Sequence, residues 1–126
     1  MIQKYKELNI DLVNAPSLYK IIYIQKMTFE QARLEKNYDI MRSALQNILD
    51  NLINKANKEQ KEKQLKQIMK ALSWYDTLQY NKEYIKKLST GERIYVFPDN
   101  IKLKVEYCMT YSYRNLNKLV EDLNII

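Results

Sequence analysis

The sequence predicts a mainly α-helical fold: a small helical bundle built on a helical hairpin over about 38–79, with shorter helices, one β-hairpin over about 92–107 and a C-terminal helix. Three observations carry this. No proline or glycine occurs between Ser17 and Thr90, and such a length without breakers reads as helices joined by short polar turns. Apolar residues recur at helical spacing over two stretches inside it. After Pro98-Asp99-Asn100, apolar and polar residues alternate strictly over IKLKVEY, and the β-prone RIYVF precedes it.

Taken in order, the N-terminal part is the least defined. MIQKYKELNI is polar from its third residue, so no secretory leader is expected. Pro16 stops a regular helix from passing through it. Residues 18–27, LYKIIYIQKM, are rich in β-branched and aromatic residues and suit a strand. Leu18, Ile21 and Ile22 equally suit a helix, and both readings stay open. Thr28-Phe29-Glu30-Gln31 has the capping-box pattern, which would start a helix at Phe29.

The clearest helix covers 38–56. Met41, Ala44, Leu45, Ile48, Leu49, Leu52, Ile53 and Ala56 make one broad apolar face, with Arg42, Gln46, Asp50 and Asn54 opposite. A second helix spans about 60–79 on Leu65, Ile68, Met69, Leu72, Tyr75 and Leu78. The heptad through Met41, Leu45, Ile48 and Leu52 continues onto Lys55, Glu59, Glu62 and Lys66, so a continuous coiled-coil seam is lost there. KANKEQKEK is a polar connection, and the pair is an antiparallel hairpin. A third helix is expected over about 81–89, with Tyr84, Ile85 and Leu88 on one face and Gly91 just beyond its end.

In IKLKVEY, Ile101, Leu103, Val105 and Tyr107 alternate with Lys102, Lys104 and Glu106. RIYVF before it is β-prone, and Pro98-Asp99-Asn100 reads as a three-residue hairpin loop. This places Phe97 opposite Ile101 and Tyr95 opposite Leu103. The C-terminal helix then starts after a Ser112 cap and buries Leu116, Leu119, Val120 and Leu123.

With 126 residues the chain is expected to be a single domain over 1–126. No apolar run approaches the roughly 20 residues of a membrane span, so no membrane partner is expected. One cysteine, Cys108, makes no internal disulfide and fits a cytoplasmic setting. The net charge of +6 and pI near 9.3 favour a polyanionic partner. Yet residues 1–42, 43–84 and 85–126 each hold seven Lys+Arg against five Asp+Glu, so there is no basic arm. Abundant Lys, Asn, Ile and Tyr point to A/T-rich codons and a low-GC genome, such as that of a bacterium, phage or other mobile element.

Histidine is absent, which removes Ser-His-Asp and Cys-His catalysis and His-based zinc sites. A single glycine removes the phosphate-cradling loops. Cys108 reads as a small buried hydrophobe rather than a nucleophile. The carboxylates form no DxD or ExxE set, apart from a solvated Glu59–Glu62 pair. No enzyme, cofactor or metal is expected.

Three features point to binding. Residues 108–123 align with a helix-turn-helix in which Tyr113, Arg114, Asn115 and Asn117 face a groove. Thr110 stands there at the usual turn glycine, and Glu106 at a usual small residue. The plainer reading is a capped amphipathic helix. Next, Lys86, Lys87, Arg93, Lys102 and Lys104 gather around the hairpin and would follow a phosphate backbone. Finally, eleven tyrosines and one tryptophan exceed the need of so small a core, with Tyr107, Tyr111 and Tyr113 close together. The leading expectation is a small non-enzymatic nucleic-acid-binding regulator or accessory protein. Its contacts would be Lys86, Lys87, Arg93, Lys102, Lys104, Tyr111, Tyr113, Arg114 and Asn115. The alternative is an inhibitor or adaptor module that binds a host protein through a tyrosine-rich helical surface. A homodimer on residues 38–79 is a third.

Overall fold

A computed structural model of the chain describes residues 17–125. The readings of MIQKYKELNI and of the break at Pro16 fall outside them. The class is the expected one, helices with a single β-hairpin and a C-terminal helix. The order is α1 (Ser17–Leu34), α2 (Tyr38–Lys58), α3 (Glu62–Leu78), β1 (Ile85–Lys87), β2 (Arg93–Tyr95) and α4 (Asp99–Asp122).

The open question at 18–27 resolves as helix. Tyr19, Ile22, Tyr23, Phe29 and Ala32 are buried along one side of α1, so burial at helical spacing overrides local β preference. The capping box at Thr28 is not used. Its hydroxyl lies inside α1 and donates to the Ile24 carbonyl at 2.9 Å. α1 packs along α2, α3 packs on α4, and α2 touches both.

The helical hairpin forms close to its expected limits. Asn37 caps α2, its side-chain oxygen accepting from the Ile40 N–H at 3.2 Å. Arg42 was expected on the solvent face, but it is half-buried and reaches α3. Its Nε and Nη2 donate to the two carboxylate oxygens of Asp76, at 2.7 and 2.9 Å.

The helix ends show how a chain with one glycine stops its helices. Lys36, Gln60 and Asn124 adopt left-handed backbone, with φ of 57°, 59° and 53°. At each, the next N–H reaches back five residues: Asn37 to Ala32, Lys61 to Ala56 and Ile125 to Val120. These are Schellman closures made without glycine.

The β-hairpin lies earlier than expected, and the third helix at 81–89 does not form. Ile85 pairs with Tyr95, Lys86 with Ile94 and Lys87 with Arg93. Gly91, with φ of 88°, sits in the loop between the strands rather than after a helix. A left-handed residue there lets the Leu88 N–H reach the Glu92 carbonyl at 2.7 Å. Tyr38, Tyr84, Tyr95 and Phe97 then dock the hairpin, with ring centroids 5.2–6.1 Å apart.

Pro98-Asp99-Asn100 is not a turn between strands but the start of α4. Pro98 takes the cap position, and its carbonyl accepts from the Ile101 and Lys102 N–H groups at 2.9 Å each. IKLKVEY is therefore helical, so the pairings of Phe97 with Ile101 and Tyr95 with Leu103 do not exist. The helix runs unbroken through Thr110, which removes the helix-turn-helix. Ser112 is a fully buried residue in mid-helix, not a cap. One core cluster joins all four helices, with Leu45, Leu49, Leu52, Leu72, Met109 and Leu116 among its fully buried members. No helix among the described residues is long and apolar enough to cross a membrane.

Candidate functional site

α3 and α4 carry more apolar surface than their packing consumes. The core stripe of α4 uses Val105, Cys108, Met109, Ser112, Leu116 and Leu119. Leu103, Tyr107 and Tyr111 form a second stripe at i, i+4 and i+8, to one side of the first. They are 68%, 74% and 37% exposed.

The second stripe borders a groove of about 600 Å³ lined by Ala71 and Trp74 of α3 and by Leu103, Lys104, Tyr107, Cys108 and Tyr111 of α4. Ala71 has too little side chain to fill the space between the helices. Trp74 is half-buried beside it. The Tyr107 and Tyr111 rings stack, with centroids 6.3 Å apart and planes at 22°. The Cys108 thiol donates to the Ala71 carbonyl at 3.1 Å, tying the two helices at this level. Burial pushes that thiol up from its ordinary pKa, which keeps it protonated and poorly nucleophilic. Among the described residues Lys104 is the one charged side chain of the lining. Beyond Tyr111 a smaller, polar cleft of about 230 Å³ continues between the same helices, past Gln64, Gln67, Asn115 and Lys118 to Asp122.

The nine residues expected to bind nucleic acid fall into separate places. Tyr111 and Lys104 share the apolar groove, and Asn115 lines the adjoining cleft. The Asn115 side-chain amide donates to the Tyr111 carbonyl at 2.7 Å. Arg114 is exposed on α4. Lys102 is exposed too, but two residues from Lys104 on a helix it points about 200° away. The two lysines were placed together by the strand reading, and the helix separates them.

Lys86, Lys87 and Arg93 stay on the hairpin. Lys87 and Arg93 border a third cavity of about 510 Å³, with Lys82, Tyr80 and Gln79 among its lining. Lys86 neighbours Lys87 on β1 and so points to the other face of the hairpin. Arg93 is already engaged: it donates to Asp39, lies 5.7 Å over the Tyr95 ring, and reaches Gln79 Oε1 at 3.5 Å. Tyr95 also donates to Asp39 and accepts from the Tyr75 hydroxyl at 3.3 Å.

Tyr113 does not face a ligand. It is buried against Phe29, rings stacked 4.1 Å apart at 16°, and its hydroxyl donates to Glu30 Oε1 at 3.0 Å. Five groove residues, Ala71, Trp74, Leu103, Tyr107 and Cys108, were missing from the expected site. The signal that marks two of them is the i, i+4, i+8 spacing of Leu103 and Tyr107 with the expected Tyr111. Among the described residues no cluster of His, Cys, Asp or Glu is arranged to hold a metal.

In comparisons by sequence and by fold, no family model, no curated protein and no solved structure matches this chain.

Proposed function

We propose that this chain is a small, non-enzymatic protein-binding module of adaptor or inhibitor type, working in the cytoplasm and engaging its partner through the groove between α3 and α4. The observation that carries this reading is the exposure of Leu103 and Tyr107 beside Trp74, in a groove whose described lining holds a single charge. Contiguous apolar surface of this kind is unfavourable in water until something covers it. Trp and Tyr are the side chains that anchor protein interfaces, because they bring large area at small entropic cost. The test is capture of a partner from host lysate treated with nuclease, by the wild-type chain and by Leu103→Asp. Capture by the wild type alone supports the reading. Equal capture by both, or none, removes it.

The nucleic-acid reading draws on a different observation. Lys82, Lys87 and the Asp39-paired Arg93 border one cavity beside the hairpin, and no acidic residue is in its lining among the described residues. Such a site would hold phosphate with little sequence discrimination. An electrophoretic shift assay at low and high salt checks it: Lys87→Ala should weaken a salt-sensitive shift, and no shift at low salt disposes of it.

A further inference from the structure

We propose that the occupant of the α3–α4 groove is an amphipathic helix of a partner protein, with acidic residues flanking its apolar stripe. This rests on the protein-binding reading and adds what the partner presents.

The dimensions favour a helix. Leu103 to Tyr111 spans eight residues of α4, about 12 Å at 1.5 Å per residue. A docked helix with apolar anchors at i, i+3 or i+4, and i+7 needs about 10 Å of such a track. The small side chain of Ala71 leaves room for the central anchor between Trp74 and Tyr107. The polar cleft beyond Tyr111 suits the end of such a helix, where backbone groups lose their intrahelical partners. An extended peptide is less suited, because among the described residues no strand edge borders the groove and its lining comes from α3 and α4.

Charge sets the flanks. Lys104 lines the groove, and Lys118 lines the cleft that continues it. Lys70 precedes Trp74 by one turn on α3, and Arg114 follows Tyr111 by three residues on α4; both are exposed. Among the described residues none of these four cations is in a salt bridge. Of the acids near this face, Asp76 is held by Arg42 and Glu106 by Lys36, Asp122 sits at the far end of the cleft, and Asp99 and Glu121 are exposed toward the two ends of α4. An apolar track with four unpaired cations beside it, three on α4 and one on α3, is complementary to an apolar stripe accompanied by carboxylates. The same cations disfavour a second copy of this chain. A two-fold contact through the α4 face would bring Lys104, Arg114 and Lys118 of the two copies close to one another.

Trp74 is the sole tryptophan of the chain and lines the groove, so its emission reports occupancy directly. Four tryptophan-free synthetic peptides form the test. Three share one Leu/Phe stripe at i, i+3, i+4 and i+7, with Glu, Gln or Lys at the flanking positions. The fourth has the Glu composition with the stripe scrambled. The expected result is saturable change in Trp74 emission with the Glu peptide. Binding should be about tenfold or more weaker for the Lys peptide and for the scrambled one, a difference of about 1.4 kcal/mol or more. It should be lost in Leu103→Asp, a site exposed enough to keep the fold, with the thermal midpoint as control.

Equal affinity for Glu and Lys peptides, or for ordered and scrambled ones, overturns the proposal. Tighter quenching of Trp74 by oligo-dT than by the Glu peptide overturns it as well. So does a dimer in light scattering that becomes a monomer in Leu103→Asp. Failure of every peptide, with groove-dependent lysate capture intact, removes the acidic helix and leaves the protein-binding reading standing. Failure of both removes both.

Discussion

Tyr107 and Tyr111 stack on each other one helical turn apart, outside the core of α4, with ring planes at 22°. Tyr107 is 74% exposed, so its ring contributes little to folding. We expect Tyr107→Ala to change unfolding free energy by less than about 0.5 kcal/mol. Partner capture should fall by about tenfold or more, as for truncation of an aromatic anchor. Chemical denaturation and capture on the same variant check this. Destabilisation in proportion to lost binding would make the residue structural.

Tyr113, two residues past Tyr111, should behave in the opposite way. It is buried on Phe29 and bonded to Glu30. Tyr113→Ala opens a cavity and should cost about 3–5 kcal/mol. Tyr113→Phe keeps the ring and should cost about 1 kcal/mol for the hydrogen bond. Partner binding by folded Tyr113→Phe should be unchanged within about twofold, within the small effect expected away from the interface. A large binding defect in that variant would return Tyr113 to the site.

This contrast explains what the sequence made legible. α2 and α3 could be read nearly to their ends, because each carries one apolar stripe and the 3.6-residue period stands alone. α4 carries two. Ile101 and Val105 face the core, whereas Leu103 and Tyr107 belong to the exposed stripe. Interleaved, the two helical stripes look like a period of two, which is why IKLKVEY resembles a strand. The misreading thus falls on the residues of the candidate groove, where surface apolar residues break the pattern that folding alone would require. The hairpin was displaced for a related reason. Its β1 strand is only Ile85–Lys87, too short to show alternation, and the true turn signal, Ser89-Thr90-Gly91, was assigned to a helix end. The groove also needs Trp74 and Ala71, and their pairing with α4 is a property of tertiary packing that no local pattern displays.

The non-glycine closures predict an easy gain in stability. Gln60 is exposed and holds φ at 59°, where a side chain is strained and glycine is not. Gln60→Gly should raise unfolding free energy by about 0.5–1 kcal/mol, the relief of left-handed strain exceeding glycine's extra unfolded-state entropy. Gln60→Ala should give no such gain. A loss of stability in Gln60→Gly, measured by urea denaturation, would mean that the turn at 59–61 is not closed as described.

The Asp39 carboxylate holds the hairpin to α2 by accepting from both Arg93 and Tyr95. Asp39 also lies in the first turn of α2, where a negative charge is favoured. Asp39→Ala should therefore cost about 1–2 kcal/mol, less than a fully buried pair because the carboxylate is partly in water. Lys86→Ala on the outer face of the same hairpin should be neutral within about 0.5 kcal/mol. Hydrogen exchange separates a local effect from a global one: in Asp39→Ala the amides of 85–95 should exchange faster than those of α2. Equal loss of protection everywhere would show that the hairpin is not a separately anchored unit.

Burial of tyrosine hydroxyls sets the alkaline limit of the fold. Burial pushes Tyr95 up to about 12, with its hydrogen bond to Asp39 adding to the shift. Burial, then the neighbouring Tyr23, pushes Tyr19 up to about 12. Tyr75 and Tyr113 are raised further, again chiefly by burial. In the unfolded chain these hydroxyls titrate near about 10. Below that pH both states keep the proton and stability does not depend on it. Between about 10 and 12 the unfolded chain loses protons that the folded one retains, so folding weakens as pH rises. Urea midpoints should therefore hold level to about pH 9.5 and fall steadily up to about pH 12. Tyr95→Phe should make that fall shallower even though it lowers stability at neutral pH, since it removes one of the titrating hydroxyls. Midpoints for Tyr95→Phe that fall as steeply as the wild type's would show that Tyr95 does not keep its proton in the folded chain.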